Sequence, residues 1–120
     1  MARVLIVDDS ATEVQALTAI LEGAGYETLS AKSAEEGLDV ARREHPDVVL
    51  MDIVMPGVNG FQATRQLSRD ENTKEIPVIV VSTKDGETDK IWGKRQGARD
   101  YLVKPVDADT LLKALDAVLN

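Results

Sequence analysis

The sequence predicts an α/β domain of the (βα)5 class, a doubly wound five-stranded parallel sheet with helices on both faces in three layers. Three observations predict it. Five short apolar runs recur at fairly even spacing along the 120 residues. The stretch after each has helical rather than strand period, and such alternation of strand and helix makes parallel sheets with right-handed crossovers. The first, third and fourth runs are continuous and β-branched, as strands covered on both faces are.

The first run is Val4 to Val7. Ser10 or Thr12 can cap the helix that follows, whose apolar positions are Val14, Leu17, Ile20 and Leu21. Gly23 or Gly25 ends it, where a left-handed cap calls for glycine. The second run, Glu27 to Ser30, is weak and alternating, which suits an edge strand. Ser33 and Glu36 then have capping-box spacing, with Leu38 and Ala41 on the inner face of a second helix. Val48 to Met51 is the third run. Phe61, Thr64 and Leu67 mark a third helix after Gly60. The fourth run, Val78 to Val81, leads to a helix that contains Ile91 and ends at Gly97. Tyr101 to Val103 is the fifth. Asp107 or Asp109 starts the final helix, with Leu111, Leu112, Leu115, Val118 and Leu119 apolar. Nothing in the chain reads as a linker, so residues 1–120 are expected to form one domain.

Composition removes several functions. Twenty-one acidic against fourteen basic residues give a net charge of −7, and no block of lysines or arginines offers the positive surface that phosphate backbones require. No nucleic-acid partner is expected. Cysteine is absent and His45 is the single histidine, so thiolate chemistry, disulfides and zinc sites rich in histidine fall away. Val4 to Val7 stops at Asp8, too short for a signal-peptide core, and no stretch approaches the roughly 18 apolar residues of a membrane span. A cytoplasmic protein without membrane insertion is expected.

In an open parallel sheet, ligands bind beyond the carboxyl ends of the strands where strand order reverses. The first strand is followed by Asp8 and Asp9, the third by Asp52, the fourth ends in Ser82-Thr83, and the fifth leads to Lys104-Pro105. Singly, each has an ordinary explanation as a cap, a turn or a solvated side chain. Together they bring three carboxylates, two hydroxyls and a lysine to one edge. Clustered carboxylates need a compensating cation, and an all-oxygen donor set selects a hard one, with Mg2+ the best fit. A lysine across the same pocket makes sense if an anionic group also arrives. Phosphoryl transfer to one aspartate follows, with the cation and the lysine stabilising the transferred oxygens.

Five motifs in order, Leu5-Ile-Val-Asp-Asp9, Val48-Val-Leu-Met-Asp52, Met55-Pro-Gly-Val-Asn-Gly60, Pro77-Val-Ile-Val-Val-Ser82 and Lys104-Pro105, resemble the receiver domain of two-component response regulators over essentially the whole chain. The likeness is to single-domain, CheY-like receivers with the flavodoxin-like fold. The resemblance implies that Asp52 is the phosphoacceptor, that Asp9 binds Mg2+ directly and Asp8 mainly through water, and that Val54 lends a backbone carbonyl. It further implies that Lys104 pairs with the phosphoryl group, that the Lys104–Pro105 bond is cis, and that Gly60 serves the tight loop that closes beside the site. Ser82 is the implied switch hydroxyl and Tyr101 the switch aromatic, which turns inward as that hydroxyl moves. The surface formed by Lys90, Ile91, Lys94, Tyr101 and the last helix would then change for a partner. Thr83 stands where many members carry alanine. Val54 and Lys84 occupy the variable positions that tune phosphoryl lifetime, and valine cannot hold an attacking water, so self-dephosphorylation away from the fast extreme is expected.

The stretches Met51 to Arg65 and Thr83 to Asp100 also resemble regulators of type IV pilus twitching motility of the PilH type. The implied partners are a CheA-like histidine kinase and an output protein of a motility apparatus such as the type IV pilus machinery, with the receiver itself a monomer. It would be a signalling phosphoacceptor that catalyses only its own phosphorylation and dephosphorylation. Two alternatives stand beside this one. A phosphate sink would compete for the kinase without a partner surface that changes. A phosphatase forming an aspartyl phosphate would need a second acid two residues past Asp52, where Val54 stands. A nucleotide-binding domain is disfavoured because no G-x-G-x-x-G or Walker lysine follows the first strand. Trp92, the only tryptophan, is expected to cover the gap between helices, with a partner contact as the competing role.

Overall fold

The computed structural model describes residues 2–57 and 59–120; Val58, inside the Met55–Gly60 motif, lies outside them. Strands and helices alternate as β1 (Arg3–Val7), α1 (Ala11–Gly23), β2 (Glu27–Ala31), α2 (Ala34–Glu44), β3 (Val48–Met51), α3 (Gly60–Arg69), β4 (Val78–Ser82), α4 (Glu87–Arg95), β5 (Asp100–Val103) and α5 (Ala108–Leu119). All pairings are parallel, in the order β2-β1-β3-β4-β5. The predicted (βα)5 sheet is therefore the observed one, and strand order reverses between β1 and β3.

The sheet's two faces explain the run patterns. Val4, Ile6, Val48, Leu50, Ile79 and Val81 point to one side, where α1 supplies Leu17 and Leu21 and α5 supplies Leu111 and Leu115. Leu5, Val7, Val49 and Met51 point to the other, against Leu38 and Ala41 of α2 and Ala63 and Leu67 of α3. Central strands meet a layer on each side, so no polar alternation survives in them. Edge strand β2 leaves Glu27 and Ser30 exposed and buries only Ala31 fully, so it is less covered than the central strands. Burying one Leu or Val in such layers is worth about 1.5–3 kcal/mol, and seventeen of them are buried among the described residues.

The helix starts show which sequence signals were used. Ser10, not Thr12, caps α1, accepting a hydrogen bond from the Glu13 N–H. Asp107 rather than Asp109 caps α5 through the Thr110 N–H at 2.7 Å. At α2, Ser33 accepts from Glu36 N–H, but the Glu36 carboxylate turns to the Lys32 N–H instead of closing the box. The reciprocal box forms at α3, between Asn59 and Gln62. Gly25 and Gly97 adopt φ of 93° and 110° just past α1 and α4, conformations that glycine adopts freely. His45 ends α2 in the left-handed region at φ 48°.

Among the described residues no helix is long and apolar enough to cross a membrane.

Candidate functional site

Register builds the site. Val7 of β1 lies opposite Met51 of β3, so the next residue on each strand, Asp8 and Asp52, emerges side by side at the switch point. The chain here is fixed by the Asp52 N–H donating to Val7 O and the Asp8 N–H donating to Ala31 O, both at 3.0 Å. On the other side of β3, Ser82 of β4 lies opposite Val103 of β5, and the Lys104 N–H donates to Ser82 O at 2.8 Å. The Lys104–Pro105 bond is cis, as expected.

The three carboxylates converge. Asp8, Asp9 and Asp52 each offer an oxygen, and those atoms lie within 4.8 Å of one another. Asp8 and Asp52 are 3% and 7% exposed, while Asp9 faces solvent. Lys104 joins them in the same pocket and seats its ammonium on Asp8 Oδ2 at 2.7 Å, with Asp52 Oδ2 at 3.8 Å. Glu13 Oε2 stands 4.0 Å from the same ammonium. Sequence reasoning missed Glu13, although its place one turn into the helix after Asp9 was a usable signal. Asp8 Oδ1 also accepts from the Ser10 N–H at 2.9 Å, which orients the carboxylate.

Burial pushes the Asp52 carboxyl above its ordinary pKa. The Lys104 charge opposes that rise, Asp8 adds to it, and the N–H groups of Val54 and Ile53 lower it again. An enclosed carboxylate with one ammonium shared among three acids is short of positive charge. All donors are oxygen, the set that suits a hard divalent cation with room for water.

Around this core the other predicted residues divide. Ser82 is fully buried, and its Oγ accepts from the Lys84 N–H at 3.2 Å. Thr83 beside it is exposed. Val54 turns its side chain to solvent, 52% exposed, and its N–H approaches Asp52 Oδ1 at 3.4 Å. Gly60 lies so close to β3 that a Cβ there would meet the Asp52 carbonyl oxygen and come within 2.8 Å of Ile53 Cα. Its N–H donates to Ile53 O at 3.1 Å.

Tyr101 is turned inward and buried. Its hydroxyl donates to Lys84 O at 2.7 Å, tying β5 to the loop after β4. Burial raises the phenol's pKa, and Asp89 adds to the rise. A Cβ on Gly93 would sit 3.1 Å from Tyr101 Cδ2 and 3.4 Å from Phe61 Cε1, so this glycine lets α4 close over the ring. Gly93 has no hydrophobic signature, and sequence reasoning passed over it. Trp92 does not seal the gap between α3 and α4: it is 47% exposed along it.

The response regulator receiver domain family matches residues 4–116. PilH of Pseudomonas aeruginosa is 67% identical over 99% of this chain and 98% of its own. The response regulator PleD of Caulobacter vibrioides is 42% identical over 94% of this chain but 25% of its own length. Among solved structures, chemotaxis protein CheY4 of Vibrio cholerae superposes with a TM-score of 0.93 at 37% identity, covering 99% of both chains.

Proposed function

The chain belongs to the response regulator receiver domain family, and on that premise we propose that residues 1–120 act as one receiver that takes a phosphoryl group from a histidine kinase onto Asp52. The observation that carries this is the meeting of Asp8, Asp9 and Asp52 within 4.8 Å, with the Lys104 ammonium 3.8 Å from Asp52. Asp8, Asp9, Asp52 and the Val54 carbonyl are the groups that would hold Mg2+, and the enclosed oxygen donors fit it. Bound there, Mg2+ supplies the positive charge that lets the Asp52 carboxylate approach an anionic phosphoryl group.

Asp52 acts as the nucleophile: one carboxylate oxygen forms the bond to phosphorus as the bond from phosphorus to the kinase histidine breaks, and the imidazole keeps the electron pair. Lys104 leaves its place on Asp8 to neutralise the phosphoryl oxygens. Ser82 then donates its hydroxyl to a phosphoryl oxygen in place of accepting from Lys84, and the Lys84–Tyr101 link moves with the loop. The outcome is a population shift of β4, α4 and β5 that alters the surface of Lys90, Ile91, Lys94, Tyr101 and α5. The likeness to PilH and CheY4 supports a cytoplasmic, monomeric regulator working with a CheA-like kinase on a motility output, with type IV pilus machinery as the leading candidate.

Transfer from an autophosphorylated CheA-like kinase tests this. Label should leave the kinase and be found on the wild type but not on Asp52→Asn. Label that stays on the kinase, or passes equally to Asp52→Asn, would overturn it.

A further inference from the structure

The flank of α4 away from β5 carries a second feature. Two neighbouring clefts of about 370 and 280 Å3 lie between α3 and α4, and Trp92, Arg65 and Gln96 line both. Arg69 and Arg95 line the larger cleft, and Phe61 lines the smaller. In a chain of net charge −7, this groove is locally cationic. α3 contains no acidic residue, and the acids of α4, Glu87 and Asp89, are confined to its first turn.

Ordinary roles account for part of the pattern. Arg69 and Arg95 lie in the last turns of their helices, where cations suit the helix dipole. That role does not extend to Arg65 in the middle of α3, nor to a half-exposed tryptophan. Arg3, Arg42 and Arg43 each have a carboxylate within 4.0 Å, whereas among the described residues Arg65, Arg69 and Arg95 have none. The groove also has a firm wall: a Cβ on Gly97 would fall within 2.8 Å of Ser68 Cβ, so the end of α4 abuts α3. Exposed Trp and unpaired Arg over a firm wall are the residue types that dominate interface energies.

We propose that the α3–α4 groove is a docking site for an acidic peptide segment of a partner protein, with carboxylates on Arg65, Arg69 and Arg95 and an apolar side chain against Trp92. A short acidic segment senses the local arginines within about one Debye length, roughly 8–10 Å, while an extended polyanion such as nucleic acid also meets the chain's net negative field. The groove is separate from the surface of α5, so a partner there leaves the other flank of α4 free.

The test uses the full chain and a fluorescein-labelled glutamate-rich peptide with a central phenylalanine, followed by anisotropy at low and at physiological salt. Trp92 is the only tryptophan, so its emission reports occupancy directly. Wild type should bind, with a shift in that emission and weaker binding at higher salt. Arg65→Glu/Arg95→Glu should lose about tenfold or more in affinity, and Trp92→Ala several-fold. Arg65→Lys/Arg95→Lys should keep most of the binding. Arg43→Glu/Lys74→Glu, with the same change in net charge at other exposed sites, should match wild type, and circular dichroism should verify that each variant is folded. No binding by wild type, or equal loss in the control pair, overturns the proposal. So does binding of short duplex DNA in preference to the peptide, or self-association on sedimentation that the arginine variants abolish.

Discussion

Lys104 and Asp8 form the most enclosed ion pair among the described residues, 2.7 Å apart with side chains 8% and 3% exposed. Asp52 lies on the same ammonium at 3.8 Å, so one positive charge serves two buried acids. Lys104→Ala would leave both uncompensated. Breaking a buried pair by removing one partner costs about 3 kcal/mol or more. Urea unfolding in chelator should show that loss, and millimolar Mg2+ should restore part of it by supplying the missing charge. Equal stability of variant and wild type without metal would mean that the ammonium is not what holds the acids together.

Asp52 gives a pH signature of known sign. Its folded pKa is raised by burial, so the unfolded chain gives up that proton more readily and ionisation disfavours the fold. The penalty is absent below the unfolded value, about 3.9, and complete above the folded one. Asp52→Asn removes it. In chelator the variant should match wild type in acid and exceed it at neutral pH, as measured by thermal denaturation across that range. With Mg2+ the order should reverse, because the amide is a poorer ligand. A variant less stable than wild type at neutral pH without metal contradicts the burial account.

Gly60 and Gly23 should respond oppositely to alanine. A Cβ at Gly60 would press on the backbone just past β3, at Asp52 and Ile53, whereas nothing lies within 4 Å of one at Gly23 in the last turn of α1. Gly60→Ala should lose about 2 kcal/mol from overpacking and lower metal affinity with it. Gly23→Ala should gain about 0.5–1 kcal/mol from helix propensity. Guanidinium unfolding of both, with Mg2+ titration of the first, checks the contrast.

Tyr101→Phe removes only the hydroxyl that meets Lys84 O at 2.7 Å. A hydrogen bond of this kind contributes about 1 kcal/mol, and the freed carbonyl belongs to an exposed residue that water can reach. Stability should fall little, while amide exchange should speed in the segment from Thr83 to Gly86. Gly93→Ala should instead push on the ring from α4 and make Tyr101 more accessible to iodination.

What was legible in the sequence follows from what each element buries. β1, β3 and β4 could be found because two covered faces leave no polar position, and the same strands deliver Asp8, Asp52 and Ser82 one step past or at their ends. α4 was nearly illegible. Its marker Ile91 is 51% exposed, and its contact with Tyr101 is made by Gly93, whose lack of a side chain is the packing feature. The partner of Lys104 was equally hidden, since convergence at a sheet edge does not say which of Asp8, Asp9, Asp52 and Glu13 an ammonium will choose. Capping shows the same limit: Ser33 and Glu36 have the spacing of a box, but Lys32 offers Glu36 a competing N–H.

The most direct test of Asp52 as phosphoacceptor is the intact mass of the protein after incubation with acetyl phosphate, with and without Mg2+, beside Asp52→Asn. A single Mg2+-dependent phosphoryl adduct on the wild type, absent from the variant, is the predicted result. An adduct of equal yield on Asp52→Asn would contradict it.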